Sequence, residues 1–181
     1  MSSTNAIVVY ESIYGNTRAV AEAIAQGLGC TVLEVQKAPG VDVAVQADLL
    51  VVGGPTHMHG LATARSRQMA VAAAHEDGDT SVEPLAAEEP GLRQWLRDLP
   101  QRSGARAAAF DTRLDKSPWM TGVAARGIAR RMRSRGYEVL ACESFLVRDS
   151  EGPREEGELE RAHTWGSHLA ELLSGAARAT A

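Results

Sequence analysis

Four consecutive apolar residues, Leu49-Leu50-Val51-Val52, constrain the fold of this chain more than any other feature. A strand with one wet face alternates apolar and polar side chains, whereas a short unbroken run fits a strand covered on both faces, as in a parallel sheet layered by helices. Ala6 to Tyr10 is a similar run rich in β-branched residues, and Thr31 to Val35, Arg106 to Phe110 and Tyr137 to Val147 complete the strand patterns, the last bent near Glu143. Helical spacing fills the intervals. Ala19, Ala23, Ile24 and Leu28 form one face closed by Gly27 and Gly29, and Val41 to Gln46 forms a short helix after the break at Lys37 to Gly40. Ala62 to Ala74 reads as a helix, and Leu92 to Leu99 sets Leu92, Trp95, Leu96 and Leu99 on one side. Gly122 to Arg135 carries Val123, Ile128 and Met132 opposite a basic face of Arg126, Arg130, Arg131, Arg133 and Arg135. Glu158 to Leu173 closes the pattern with Leu159, Ala162, Leu169 and Leu172 inward, before a frayed tail from Gly175 to Ala181. Strands alternating with helices, joined by right-handed crossovers, imply an α/β fold: a three-layer α/β/α doubly wound, five-stranded parallel sheet.

A length of 181 residues suits one domain, here 1–181, interrupted by an irregular surface excursion at about 62–90 whose later part is rich in Asp, Glu, Gly, Ser and Pro. No apolar run reaches the roughly 18 to 20 residues of a membrane span, and Met1 to Asn5 is polar, so the expected location is the cytoplasm, with no membrane partner. Cys30 and Cys142 are the only cysteines, form no C-x-x-C pair and are expected to be small buried residues. A net charge of -4 gives no positive field for nucleic acid, and the arginines of the fourth long helix lack interleaved aromatics; they read as a solvated face or a docking patch for an acidic partner.

Ligands of doubly wound sheets lie beyond the carboxyl ends of the strands, which directs attention to the loops after the first, third and fourth strands. In Ser12-Ile13-Tyr14-Gly15-Asn16-Thr17, hydroxyl donors and backbone amides converge where a strand turns into a helix, a geometry that binds phosphate. The segment has neither the G-x-x-x-x-G-K of a triphosphate loop nor the G-x-G-x-x-G of a dinucleotide loop, so a monophosphate held by neutral donors fits it. Taken alone, Ser12 and Thr17 are equally readable as helix caps. His57 and His59 lie in a Gly/Pro loop without a third ligand, and no metal site is assigned there. No nucleophile elbow is present.

The segment Tyr10 to Thr17, Y-E-S-I-Y-G-N-T, resembles the flavodoxin signature, with Ser12, Gly15, Asn16 and Thr17 matching and Tyr14 standing where flavodoxins proper carry threonine. Gly53-Gly54-Pro55-Thr56-His57-Met58-His59-Gly60 resembles the family's second loop beside the flavin. This flavodoxin-like resemblance implies the strand order 2-1-3-4-5 and FMN as cofactor. It implies contacts from Ser12, Ile13, Tyr14, Gly15, Asn16 and Thr17, from Pro55, Thr56, His57, Met58 and His59, and from Asp111, Thr112 and Arg113 in the third loop. His57 and Met58 are then expected to line the ring as contacts, not as acids or bases. That third loop departs from the family in lacking glycine and aromatic residues, and Trp119, the one nearby ring, is expected to pack into the core. The function implied is electron transfer to a redox partner protein or a small-molecule acceptor. The alternatives are an NAD(P)H-dependent FMN quinone reductase and a flavodoxin-fold module that has lost FMN.

Overall fold

The computed structural model describes residues 5–38, 40–57, 60–76, 78, 82–148 and 154–179. In chain order the elements are β1 (Ala6–Tyr10), α1 (Asn16–Leu28), β2 (Thr31–Glu34) with a 3-10 turn at Val35–Lys37, α2 (Gly40–Gln46), β3 (Leu49–His57) and β4 (Gly60–Leu61). They continue with α3 (Ala64–Glu76), α4 (Leu92–Asp98), β5 (Arg106–Leu114), α5 (Pro118–Thr121), α6 (Ala124–Ser134), β6 (Glu138–Val147) and α7 (Glu158–Ala179).

The parallel strands run in the order β2-β1-β3-β5-β6, the flavodoxin-like order expected once β4 is set aside. β4 is too short to carry a periodic signal. It folds back antiparallel on β3, Thr56 facing Leu61 and His57 facing Gly60. The apolar run at the centre of the sheet behaves as its sequence requires: Leu50 and Val52 pack into one core and Leu49 and Val51 into the other. Such full burial is worth about 1.5 to 3 kcal/mol per side chain. Leu92, Trp95, Leu96 and Leu99 are all buried in the first of these cores, as their spacing predicts.

α1 and α7 cross in the second layer, with glycine on both sides of the contact. A Cβ on Gly27 would overlap the carbonyl of His163, and one on Gly166 would overlap the carbonyl of Ile24. Gly27 therefore lies inside α1 as a packing residue, and Gly29, at φ 69°, ends the helix. The same crossing moves the inward row of α7. Ala162, Leu169 and Leu173 lie in the second core and Gly166 against α1, whereas Leu159 and Leu172 are each 38% exposed, contrary to expectation.

Other departures are local. The irregularity of β6 lies at Leu140, where Ala107 pairs with Val139 but Ala108 with Ala141, not near Glu143. α7 continues to Ala179 where fraying from Gly175 was expected. Cys30 is only half-buried and Cys142 is exposed. Trp119, expected in the core, is 88% exposed on α5.

The excursion is more tightly tied than its composition suggests. α3 puts Arg67, 1% exposed, between Glu11 of the β1 end at 3.4 Å and Glu89 at 2.6 Å. Glu11 Oε2 also accepts the Leu92 amide at 2.8 Å. Burial pushes the Glu11 carboxyl above its ordinary value, against the pull of that amide and of Arg67. Removing one member of such a buried network strands the others, so it clamps the excursion to the sheet.

Candidate functional site

A cleft of about 350 Å³ opens at the carboxyl ends of β1, β3 and β5. The first loop and the start of α1 contribute Ile13, Tyr14, Asn16 and Thr17; Pro55, Thr56 and His57 come from the end of β3 and Thr112 and Arg113 from the end of β5, strands that run on through segments expected to be loops. Three segments far apart in sequence thus meet at the place the sheet topology assigns to a ligand. Met58 and His59 lie outside the described residues.

The first loop is built as a cradle. Gly15, at φ 79°, is the N-cap of α1 and supplies no side-chain cap, so the first-turn amides face the cleft end without one. Ser12 does not cap the helix: its Oγ accepts the Gly15 N–H at 3.1 Å and fixes the turn. Thr17 lies inside α1, its Oγ1 2.7 Å from Thr112 Oγ1, which joins the start of α1 to the end of β5. The capping alternative for these two residues is therefore not what the structure displays.

Asn16 is oriented by a residue the sequence did not flag. Its Oδ1 accepts from Arg154 Nη1 at 3.1 Å, while its Nδ2 is buried with no hydrogen-bond partner among the described residues. Arg154 is held opposite Val147 by an isolated antiparallel bridge. It brings a cation to a loop whose own donors are neutral. An unpartnered buried amide, uncapped helix amides and an adjacent guanidinium form a donor set with no acceptor, which is what a phosphate needs.

From the other side, Glu83 braces the loop. Its N–H donates to the Ile13 carbonyl at 2.8 Å, and its carboxylate lies 3.1 Å from Arg18 Nε. Burial raises the Glu83 carboxyl, with Arg18 opposing the shift. Glu83 belongs to the excursion, which thereby supports the cradle.

Asp111 has a different place from the one expected of a cofactor contact. It is fully buried, and Oδ2 accepts the Ala125 amide and the Thr56 hydroxyl, each at 2.9 Å. Thr56 Oγ1 in turn accepts the Ala124 amide at 2.9 Å. The pair caps α6 and forms the floor beneath the cleft. Burial raises the Asp111 carboxyl, against the Ala125 amide and the Ser144 and Thr56 hydroxyls.

Ala70, Leu114 and Val147 also line the cleft. Leu114 and Val147 end β5 and β6, so the strand-end rule itself could have found them. Ala70 belongs to α3, whose contact with the cleft no local pattern announces. Among the described residues no three His, Cys, Asp or Glu side chains are grouped to hold a metal ion, and no helix is long and apolar enough to cross a membrane.

Residues 7–67 match the family model for a flavodoxin domain. No curated protein matches the chain significantly. A solved flavodoxin from the domain Archaea is 21% identical with a TM-score of 0.59, over 94% of this chain and 99% of that one. A flavodoxin, WrbA-like protein of Agrobacterium tumefaciens is 18% identical with a TM-score of 0.59, over 96% of this chain and 99% of its own. Oxidised Flavodoxin 1 of Bacillus cereus is 17% identical with a TM-score of 0.60, over 92% and 97% of the two chains. At these identities the structural likeness establishes the fold.

Proposed function

Since the chain is flavodoxin-like, in sequence over residues 7–67 and in fold over nearly its whole length, we propose that its cleft binds FMN and that the protein transfers electrons. The observation that carries this reading is the Asn16 amide, buried and unpartnered beside the uncapped start of α1. The residues present fit the group. Asn16 Nδ2, the Thr17 hydroxyl and the first-turn amides hold the phosphate, and Arg154 lends charge. Pro55, His57, Leu114 and Val147 supply the less polar lining against which the ring is oriented, with Met58 following His57 in sequence. FMN supplies the redox chemistry, and the chain's part is anchoring, orientation and exclusion of water.

Electron transfer to a partner protein is the leading role. Trp119 and Met120, 88% and 56% exposed, form an apolar point on α5, the element that follows the third loop, where a partner can pack. A reductase of small molecules, including quinones, with NAD(P)H as donor is the second reading. It is favoured by one observation, a basic concavity that shares Arg113 with the cleft. Anaerobic stopped-flow mixing of FMN-loaded protein with NADH or NADPH separates the two. Bleaching that requires an added reductase supports the carrier. Rapid bleaching by either nucleotide alone makes the protein an enzyme.

A further inference from the structure

The concavity beside the cleft measures about 510 Å³ and meets the cleft at Arg113, which lines both. Arg126 and Arg133, two turns apart on α6, wall one side, and Cys142, Glu143 and Ser144 of β6 wall the other. Arg113 is set in place by donating from Nη1 to the carbonyls of Leu114 and Lys116 at 3.2 and 2.8 Å. Its buried Nε has no hydrogen-bond partner among the described residues. Neither Arg126 nor Arg133 forms an ion pair or side-chain hydrogen bond among them. Glu143 is already paired with Arg161 at 2.9 Å.

The basic face of α6 is therefore not uniform. Arg131 donates to the Gly127 carbonyl of its own helix and Arg135 to the Arg97 carbonyl, while Arg126 and Arg133 turn to the concavity. Gathering three guanidiniums around one neutralised carboxylate is unfavourable in the free chain, and a bound dianion relieves it. Guanidinium forks match phosphate oxygens, and the excess of positive charge suits two negative charges better than one.

We propose that this concavity is an anion subsite that takes the phosphomonoester group of a small molecule approaching the neighbouring cleft. The proposal rests on the FMN reading of that cleft, because only then does a reactant have reason to lie alongside. The subsite is distinct from the cradle at Ser12 to Thr17, none of whose residues lines it.

Calorimetric titration of the FMN-loaded chain with inorganic phosphate, in phosphate-free buffer, tests it. With FMN filling the cradle, a saturable heat reports a second site. The variant Arg126→Gln/Arg133→Gln should bind phosphate at least about tenfold more weakly, since each lost charge-assisted contact costs several-fold or more. Arg130→Gln, on the same helix outside the concavity, should bind as the parent does. Retained FMN affinity certifies that the double variant is folded; if it is lost, the single substitutions Arg126→Gln and Arg133→Gln carry the comparison. Adenosine 5′-monophosphate should bind at least as tightly as inorganic phosphate, and weaker binding would mark a site for the free ion and overturn the assignment to a reactant. Absence of saturable binding, or equal binding by parent and double variant, overturns the subsite. Failure of the chain to take up FMN overturns the cofactor reading instead. The titration is then read on the Thr17→Val chain, with the arginine substitutions again deciding the subsite.

Discussion

The loop after β1 and the loop after β5 sit on the same rim of the sheet and are built in opposite ways. In the first, Ser12 fixes Gly15, Thr112 meets Thr17 and Arg154 turns Asn16, so its ligand-facing atoms are positioned in advance. At the second, Asp111 inside β5 turns inward to cap α6, and the segment after the strand presents Trp119 to solvent. Tyr14 brings a ring to the cleft from the first loop, whereas Phe110, Phe145 and Trp165 pack edge to face in the core with centroids 6.0 to 6.5 Å apart, and Trp95 is buried under α2. In the proposed FMN complex, preorganisation at one end and an open flank at the other place most of the binding free energy on the phosphate rather than on the ring.

The largest test of that contrast compares FMN with riboflavin. Losing two or more charge-assisted hydrogen bonds should weaken riboflavin binding by about a hundredfold or more, as read by flavin fluorescence titration. Equal affinities would dissolve the contrast. Thr17→Val comes next. It keeps the shape of the side chain but removes a hydroxyl at the cradle, and should cost about 1.5 to 3 kcal/mol of FMN affinity. An unchanged dissociation constant would reduce Thr17 to a tie between two loops.

A third prediction concerns stability rather than affinity. An acid whose folded value is raised contributes stability that is present in full below its unfolded value, 3.8 for Asp111, and is lost as pH rises through the raised folded value. Asp111→Asn should therefore flatten the fall of urea midpoints with rising pH above about pH 4. A slope identical to that of the parent would mean that Asp111 is not the buried charge responsible. Glu158 acts with the opposite sign. Burial would raise its carboxyl, but Arg161 and the Leu146 amide hold it below its ordinary 4.5, so its contribution is lost as pH falls. The smallest expected effect is that of Trp119→Ala. An exposed ring that does not line the cleft should change FMN affinity by less than about threefold. A tenfold loss would show that α5 closes over the flavin.

Legibility in the sequence followed the range of the interactions. The double-sided burial of Leu49 to Val52 and the inner row of α4 are written in apolar residues a few positions apart, and local spacing revealed them. Arg154 acts on Asn16 across 138 residues, and no pattern near either residue predicts that pairing. The inner row of α7 was misread because its central member is a glycine, which hydrophobic periodicity does not count. The excursion looked loose because its composition is polar, yet Arg67, Glu83 and Glu89 use those polar groups as fasteners.

The glycine crossing of α1 and α7 ties the order of synthesis to the readiness of the cradle. α1 bears the cradle at its amino end, but the surface that receives Gly27 belongs to α7, the helix made after every strand of the sheet. While the chain is still being made, the early loop exists as sequence without its lateral support, and the residues that complete its surroundings, Arg154 among them, emerge with or shortly before that helix. The surroundings of the cradle are thereby complete only after α7 has been made, when the backbone-to-backbone seam between an early helix and a late one can close.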